Sequence, residues 1–275
     1  MEPEIWSVTG PQTIDIEAVS SLRAGIVRGR LDVIVHDAPG ARVEISEVRG
    51  EPVTVTLADG RLDVRHREEG PQGWLKSFLD TVAGNSQNYA VVSIAVPRGT
   101  MVELATVSGE GFVSGTGPLT RLNTVSGSLL ADGTDGELHL NTVSGDIIAR
   151  GHAGTLTAKT VSGEVTASGA LDDVRATSVS GDVSIDISGR CRTLAATMVS
   201  GDLTVRIPQD VGVDLAATMA SGRVVVDDER FRATAGKVNA ELGPKDGRMT
   251  LRAKAVSGDI SVVHAPAAAP AEGEH

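Results

Sequence analysis

Apolar and polar positions alternate with a period of two along most of this chain, and the alternation restarts at a fixed interval. After Ser126 the apolar places are Leu129 and Ala131, then, beyond Gly133, Leu138 and Leu140, with Thr142 closing the run. After Ser144 they are Ile147, Ala149, Leu156 and Ala158, closing on Thr160; after Ser162 they are Val165, Ala167, Val174 and Ala176, closing on Ser178. Successive side chains of a strand point to opposite sides, so this alternation predicts strands with one buried face. Two such runs per interval, separated by glycine-bearing turns, predict two strands per unit.

The interval is marked by a triplet. Val-Ser-Gly places its serine at Ser108, Ser126, Ser144, Ser162 and Ser180, 18 residues apart each time. It recurs at Ser200, as Ala220-Ser221-Gly222, and at Ser257, with Val238-Asn239-Ala240-Glu241-Leu242 reading as a worn copy midway through the last gap. Units this small cannot bury a face alone and must stack on their neighbours. The expected fold is therefore all-β: a β-solenoid, parallel β-helix-like, of ~18-residue coils piled at about 4.8 Å per coil. Hairpin meanders are the competing arrangement, disfavoured by strict phasing with insertions confined to turns. The last coil, ending at Ile260, Val262 and Val263, is expected to leave an open strand edge that self-associates weakly, guarded by Pro266 and Pro270.

The flanks read differently. Residues 1–105 are expected to form an N-terminal β region or cap. Segment 12–70 alternates irregularly, and Val27-Arg28-Gly29-Arg30-Leu31 echoes the later unit, so it is either a sandwich-like cap or a set of worn coils. Trp74, Leu75, Phe78, Leu79 and Val82 fall at helical spacing and predict one short helix over residues 73–84. The solenoid repeats occupy 106–263, and 264–275 read as a disordered Ala/Pro tail.

Composition narrows the chemistry. Only six of 275 residues are aromatic, whereas 32 are glycine. Small residues suit a narrow bore, and a base-stacking or sugar-stacking surface would need more aromatic faces. The formal charge of −11 offers no basic footprint for nucleic acid. No stretch is long and apolar enough to span a membrane as a helix, and the N-terminal residues lack a signal-peptide core, so a cytoplasmic location is expected. Cys191 is the single cysteine, which rules out an intramolecular disulfide.

Residues 96–109, Val96-Pro97-Arg98-Gly99-Thr100 leading into Thr106-Val107-Ser108-Gly109, combine a strand, a Val-Pro-x-Gly turn and a Thr-x-Ser-Gly coil. The pattern returns from Ile207-Pro208 to Ser221-Gly222. It resembles the bacterial putative-adhesin β-strand-repeat family, whose function is uncharacterised, over roughly residues 90–263. The resemblance implies a solenoid and carries no catalytic residues with it.

Several columns invite a chemical reading. A serine nucleophile needs a unique site with a base and an oxyanion hole, whereas this serine recurs in near-equivalent turns, so the column is expected to be structural. The position after Ser-Gly is acidic at Glu110, Asp146, Glu164, Asp182, Asp202, Glu241 and Asp259, which predicts a solvated acidic edge and no metal site. Thr106, Thr124, Thr142 and Thr160 continue the inward phase and predict interior hydroxyl stacking. Phe112 and Phe231 are expected to plug the bore. No cofactor is implied. The expected task is that of a non-enzymatic scaffold or adhesin-like interaction module, with a carbohydrate-binding or carbohydrate-active β-helix as the alternative. Trp74, Phe78 and Leu79 are the candidate interaction surface, for a protein partner or a second copy.

Overall fold

The computed structural model describes residues 3–66, 88–227, 229–232, 236–245 and 247–265, and every regular element among them is a strand. The chain winds through two facing walls. Strands that precede each Val-Ser-Gly turn build the first: β9 (Met101–Thr106), β11 (Leu119–Thr124), β13 (Asp135–Thr142), the second halves of β14 (Ile147–Thr160) and β15 (Val165–Ser178), and β17 (Thr193–Met198). Strands that follow it build the second: β10 (Glu110–Ser114), β12 (Leu129–Asp132), the first halves of β14 and β15, β16 (Val183–Ile187) and β18 (Leu203–Ile207).

Neighbours within this stretch of each wall are parallel, and the register joins equivalent residues. Leu122 pairs with Leu140, Leu138 with Leu156, and Leu156 with Val174. On the opposite wall Ala131 pairs with Ala149 and Ala149 with Ala167. Coils of 18 residues therefore stack as the alternation predicts. The inward places are closed to solvent, with Leu138, Leu140 and Ile147 at 0% exposure. Each such leucine or isoleucine contributes about 1.5–3 kcal/mol by burial.

The ends depart from the simple pile. At the N-terminal end, β3 (Ser21–Ile26) and β4 (Arg28–His36) form a coil laid directly on β9 and β10, pairing Ala24 with Leu104 and Val33 with Val113. Outside it, still parallel, come β7 (Arg61–Arg65) and β8 (Tyr89–Pro97). Next, antiparallel, come β6 (Val53–Ala58) and β5 (Ala41–Arg49), and finally β1 (Glu4–Val8) and β2 (Gln12–Ile16). The described part of segment 12–70, residues 12–66, thus holds one coil and an antiparallel cap, and β9 runs across residues 105/106 without a break.

At the C-terminal end the last coil is not the outermost. β23 (Met249–Ala255) lies on β17, and β24 (Ile260–His264) lies on β18. The earlier coil, β19 (Val213–Met219) and β20 (Arg223–Val226), is placed outside them. Antiparallel β22 (Gly236–Leu242) and β21 (Glu229–Arg232) then close the walls. Two expectations are corrected here. Ile260 and Val262 are interior residues of an inserted coil with paired neighbours on both sides. Val238–Leu242 is an edge strand of reversed direction, and its Glu241 stands opposite Asp214 rather than in the acidic column.

Phe112 also departs from expectation. Gly111 takes the inward place, where an added Cβ would lie 2.5 Å from a Leu129 methyl, so Phe112 points out of the bore and is half-buried. The helix over 73–84, with Trp74, Phe78 and Leu79, falls outside the described residues, as do the Phe231 side chain and the tail beyond Ala265.

Candidate functional site

The Val-Ser-Gly corner runs the length of the stack, and each residue type in it has a separate structural reason. Glycines pile directly on one another. A Cβ on Gly127 would sit 1.9 Å from the Gly109 carbonyl oxygen, and one on Gly145 would sit 2.1 Å from that of Gly127. The requirement there is axial closeness of backbones rather than an unusual dihedral.

Thr142 Oγ1 donates to the Gly145 carbonyl at 2.7 Å and accepts the Gly145 amide at 2.9 Å. Thr124 makes the same pair of bonds with Gly127, and Thr160 donates to Gly163. These threonines are buried, so the hydroxyl satisfies turn carbonyls that would otherwise be orphaned, and it shares the Gly145 amide with the Val125 carbonyl. The serine hydroxyls lie outside and reach back one coil: Ser144 Oγ donates to the Val125 carbonyl at 3.1 Å, and Ser180 Oγ to that of Val161 at 3.1 Å. No acid–base partner accompanies any of these bonds.

The acidic column is likewise tied to the backbone. Asp146 Oδ1 accepts the Glu164 amide at 3.1 Å, and Asp182 Oδ1 accepts the Asp202 amide at 2.8 Å. Arg223, which interrupts the column in the sequence, occupies its end. Its Nη2 lies 2.6 Å from Oδ2 of Asp259 and holds that carboxyl below the usual range, against a smaller opposing effect of desolvation. At the other end Glu110 pairs in register with Arg30. Among the described residues no three His, Cys, Asp or Glu side chains form a metal-binding group.

The valine is the residue that these bonds leave free. Val161 is 45% exposed, Val179 46%, Val199 50% and Val256 55%. Val27, Val107, Val125 and Val143 continue the same line, partly covered, and Ala220 ends it. Hydrogen bonds between successive corners, such as Ser126 N to Val107 O and Ser257 N to Val199 O, place these residues one above another. Eight steps give an apolar ridge about 38 Å long. A second apolar patch lies on the outer face of the second wall, where Phe112, Leu130 and Ile148 are register partners. The phase of the repeat carries the signal for both patches, although neither was expected from the sequence and Phe112 was expected in the bore. Threonine points inward, so the valine after it must point outward.

Cys191 and His152 are buried away from these surfaces. Cys191 is a core thiol, pushed up to about 11 by burial. His152 is enclosed in the second corner, its Nδ1 2.9 Å from Thr134 Oγ1 and its Nε2 3.0 Å from the Thr155 carbonyl.

A model of the Toastrack DUF4097 family matches residues 31–263. The chain belongs to that family. It also resembles a solved structure from Parabacteroides distasonis described as a "Putative lipid binding protein", with 17% identity, a TM-score of 0.54, and coverage of 94% of this chain and 97% of that one. A solved "putative adhesin" from Parabacteroides merdae aligns at 11% identity with a TM-score of 0.44, covering 94% and 96% of the two chains. At such identities the first likeness is one of fold. No curated protein matches the chain significantly. The Toastrack chain has no helix, among its described residues, long and apolar enough to cross a membrane.

Proposed function

We propose that this chain is a non-enzymatic scaffold that presents the valine ridge to a protein partner. The exposed valine ladder carries this reading. Isolated exposed apolar residues are ordinary, but a continuous line of them is what interaction surfaces display. The hydroxyls and carboxylates beside the ridge are engaged in holding one coil to the next, which supports a structural rather than a catalytic role for them. Cytoplasmic residence belongs to the same proposal and is tested by fractionating the cells that express the chain.

The deciding experiment compares the wild type with a Val161→Thr, Val179→Thr, Val199→Thr triple variant. The substitutions keep shape and β-propensity while wetting the ridge. In-cell cross-linking followed by mass spectrometry should yield a partner for the wild type that the triple variant loses, with both equally stable. Retention of every cross-linked partner by the variant would sink the ridge as the contact surface. Turnover of a polysaccharide by the purified protein would sink the non-enzymatic reading itself.

A further inference from the structure

The outer face of the first wall carries a feature of opposite character near its N-terminal end. In register, Ser21 pairs with Arg61 on one side and Met101 on the other, while Arg23 pairs with Asp63 and Glu103, and Glu103 with Arg121. Three arginines on neighbouring strands thus surround a shallow depression of about 210 Å³, lined also by Ser21, Met101 and Leu119. Ser21, short between Arg61 and Met101, leaves the gap.

The charges there are unbalanced. Glu103 is the one carboxylate in the lining, and its Oε2 stands 3.7 Å from Arg23 Nε, beyond hydrogen-bond length, with both side chains about one-third exposed. Asp63 is held by Arg65. Among the described residues Arg61 and Arg121 have no carboxylate partner, and the Ser21 hydroxyl has none of any kind. A local excess of two positive charges on a chain of net −11 is a place where the protein departs from its own average. Guanidinium forks match the oxygen geometry of phosphate and sulfate groups and bind them through paired, charge-assisted hydrogen bonds.

We infer that this depression binds one phosphate monoester group. Arg61 and Arg121 clamp its oxygens from two sides, the Ser21 hydroxyl donates from the floor, and Arg23 turns to it from the loosely held Glu103. Met101, 43% exposed, and Leu119 supply an apolar wall for the organic part of the ester. The site lies apart from the valine ridge and does not depend on it.

Isothermal titration of the full chain tests the assignment, with glucose 6-phosphate as the soluble ester. Co-sedimentation with phosphatidylcholine vesicles, with and without phosphatidic acid, tests the same chemistry on a lipid surface. Saturable binding of either probe should fall about tenfold or more in Arg61→Gln and in Arg121→Gln. It should rise severalfold in Glu103→Gln, which removes the competing carboxylate. Arg175→Gln, elsewhere on the same wall, should bind as the wild type does. Binding to the soluble ester alone, or to the phosphatidic acid vesicles alone, supports the site and identifies its source. Absence of binding to both probes overturns the inference. So does binding that the Arg61 and Arg121 variants retain, or that Glu103→Gln weakens.

Discussion

Oδ1 of Asp202 accepts a hydrogen bond from the amide of Asp259, 2.8 Å away although 57 residues later in the chain. Asp182 does the same for Asp202, so the carboxylate ladder passes without interruption into a coil that the chain reaches last. Arg223, from a coil made earlier, then closes on Asp259 from outside. His264 repeats the lock at the far end of β24: its Nδ1 lies 2.6 Å from Asp227 Oδ2, and its amide donates to Oδ1 of the same carboxylate. The final coil is thus a wedge clamped between two older ones.

That arrangement predicts an unequal response to truncation. A chain ending at Leu242 lacks β23 and β24, the strands that join β17 and β18 to β19 and β20. The segment 213–242 then has no parallel partner, and limited proteolysis with intact-mass analysis should show it digested back towards Ile207. A chain ending at His264 should resist as the full chain does. Protection of 213–242 in the shorter chain would refute the insertion.

The glycine column should be the least tolerant line in the molecule. Gly145→Ala forces a Cβ to 2.1 Å from the Gly127 carbonyl oxygen, a contact with backbone on both sides that cannot relax by rotating a side chain. A loss of about 3 kcal/mol is expected by analogy with overpacked cores. Gly10→Ala, with nothing within 4 Å, should stay within about 0.5 kcal/mol of wild type. Urea midpoints for the two variants make the comparison, and equal midpoints would contradict the axial stacking.

The central coils were readable because two signals coincide there: the 18-residue return of Val-Ser-Gly and the period-two alternation fix both register and facing. The same phase holds the outward place of Phe112, which stands four residues after Ser108 as Leu130 does after Ser126 and Ile148 after Ser144, yet Phe112 was expected inside. Bulk suggested the bore, but the inward place belonged to Gly111. The ends were not readable for a different reason. Val238, Ala240 and Leu242 alternate as a coil strand would, and alternation is blind to strand direction, so an antiparallel edge imitates a worn repeat. Nor does a spacing of 36 from Ser221 to Ser257 reveal that the later coil slips beneath the earlier one. The arginine depression had no signal along the chain, because Arg61, Arg23 and Arg121 meet only once β3 has been laid between β7 and β9.

Thr142→Val tests the hydroxyl column. Valine keeps the shape but deletes a donor and an acceptor, stranding the carbonyl of Gly145 and leaving its amide only the 3.1 Å bond to the Val125 carbonyl. Unsatisfied buried groups cost about 1–3 kcal/mol. Thr142→Ser should recover most of that, since Ser178 fills the equivalent place and donates to Gly181. If the valine variant is as stable as the serine one by chemical denaturation, the hydroxyl is not holding the turn.

Stability should fall with acid in two separate windows. Burial pushes the pKa of His152 below the ordinary 6.5, with the Thr155 and Thr134 carbonyls, Asp135 and Asp172 opposing more weakly; burial does the same to His66. The buried ring has Nε2 3.0 Å from the Thr155 carbonyl and Nδ1 2.9 Å from the Thr134 hydroxyl and 3.1 Å from the Thr134 carbonyl. A histidine whose folded pKa is depressed binds protons more readily when unfolded. Its contribution is therefore complete above pH 6.5 and is lost as the pH falls from there towards the lowered folded value. Asp227 and Asp259 act later. Desolvation works against the Asp227 charge, but bonds from the His264 amide and imidazole outweigh it and hold the carboxyl below 3.8, and Arg223 does the same for Asp259. Their contribution persists above 3.8 and disappears as the pH falls through the lowered values. Urea midpoints followed from about pH 8 down to about pH 3 should show a flat stretch, a decline beginning near 6.5 and a second decline below 4. His152→Gln should flatten the first decline and leave the second. A first decline that survives intact in both His152→Gln and His66→Gln would show that other groups titrate there.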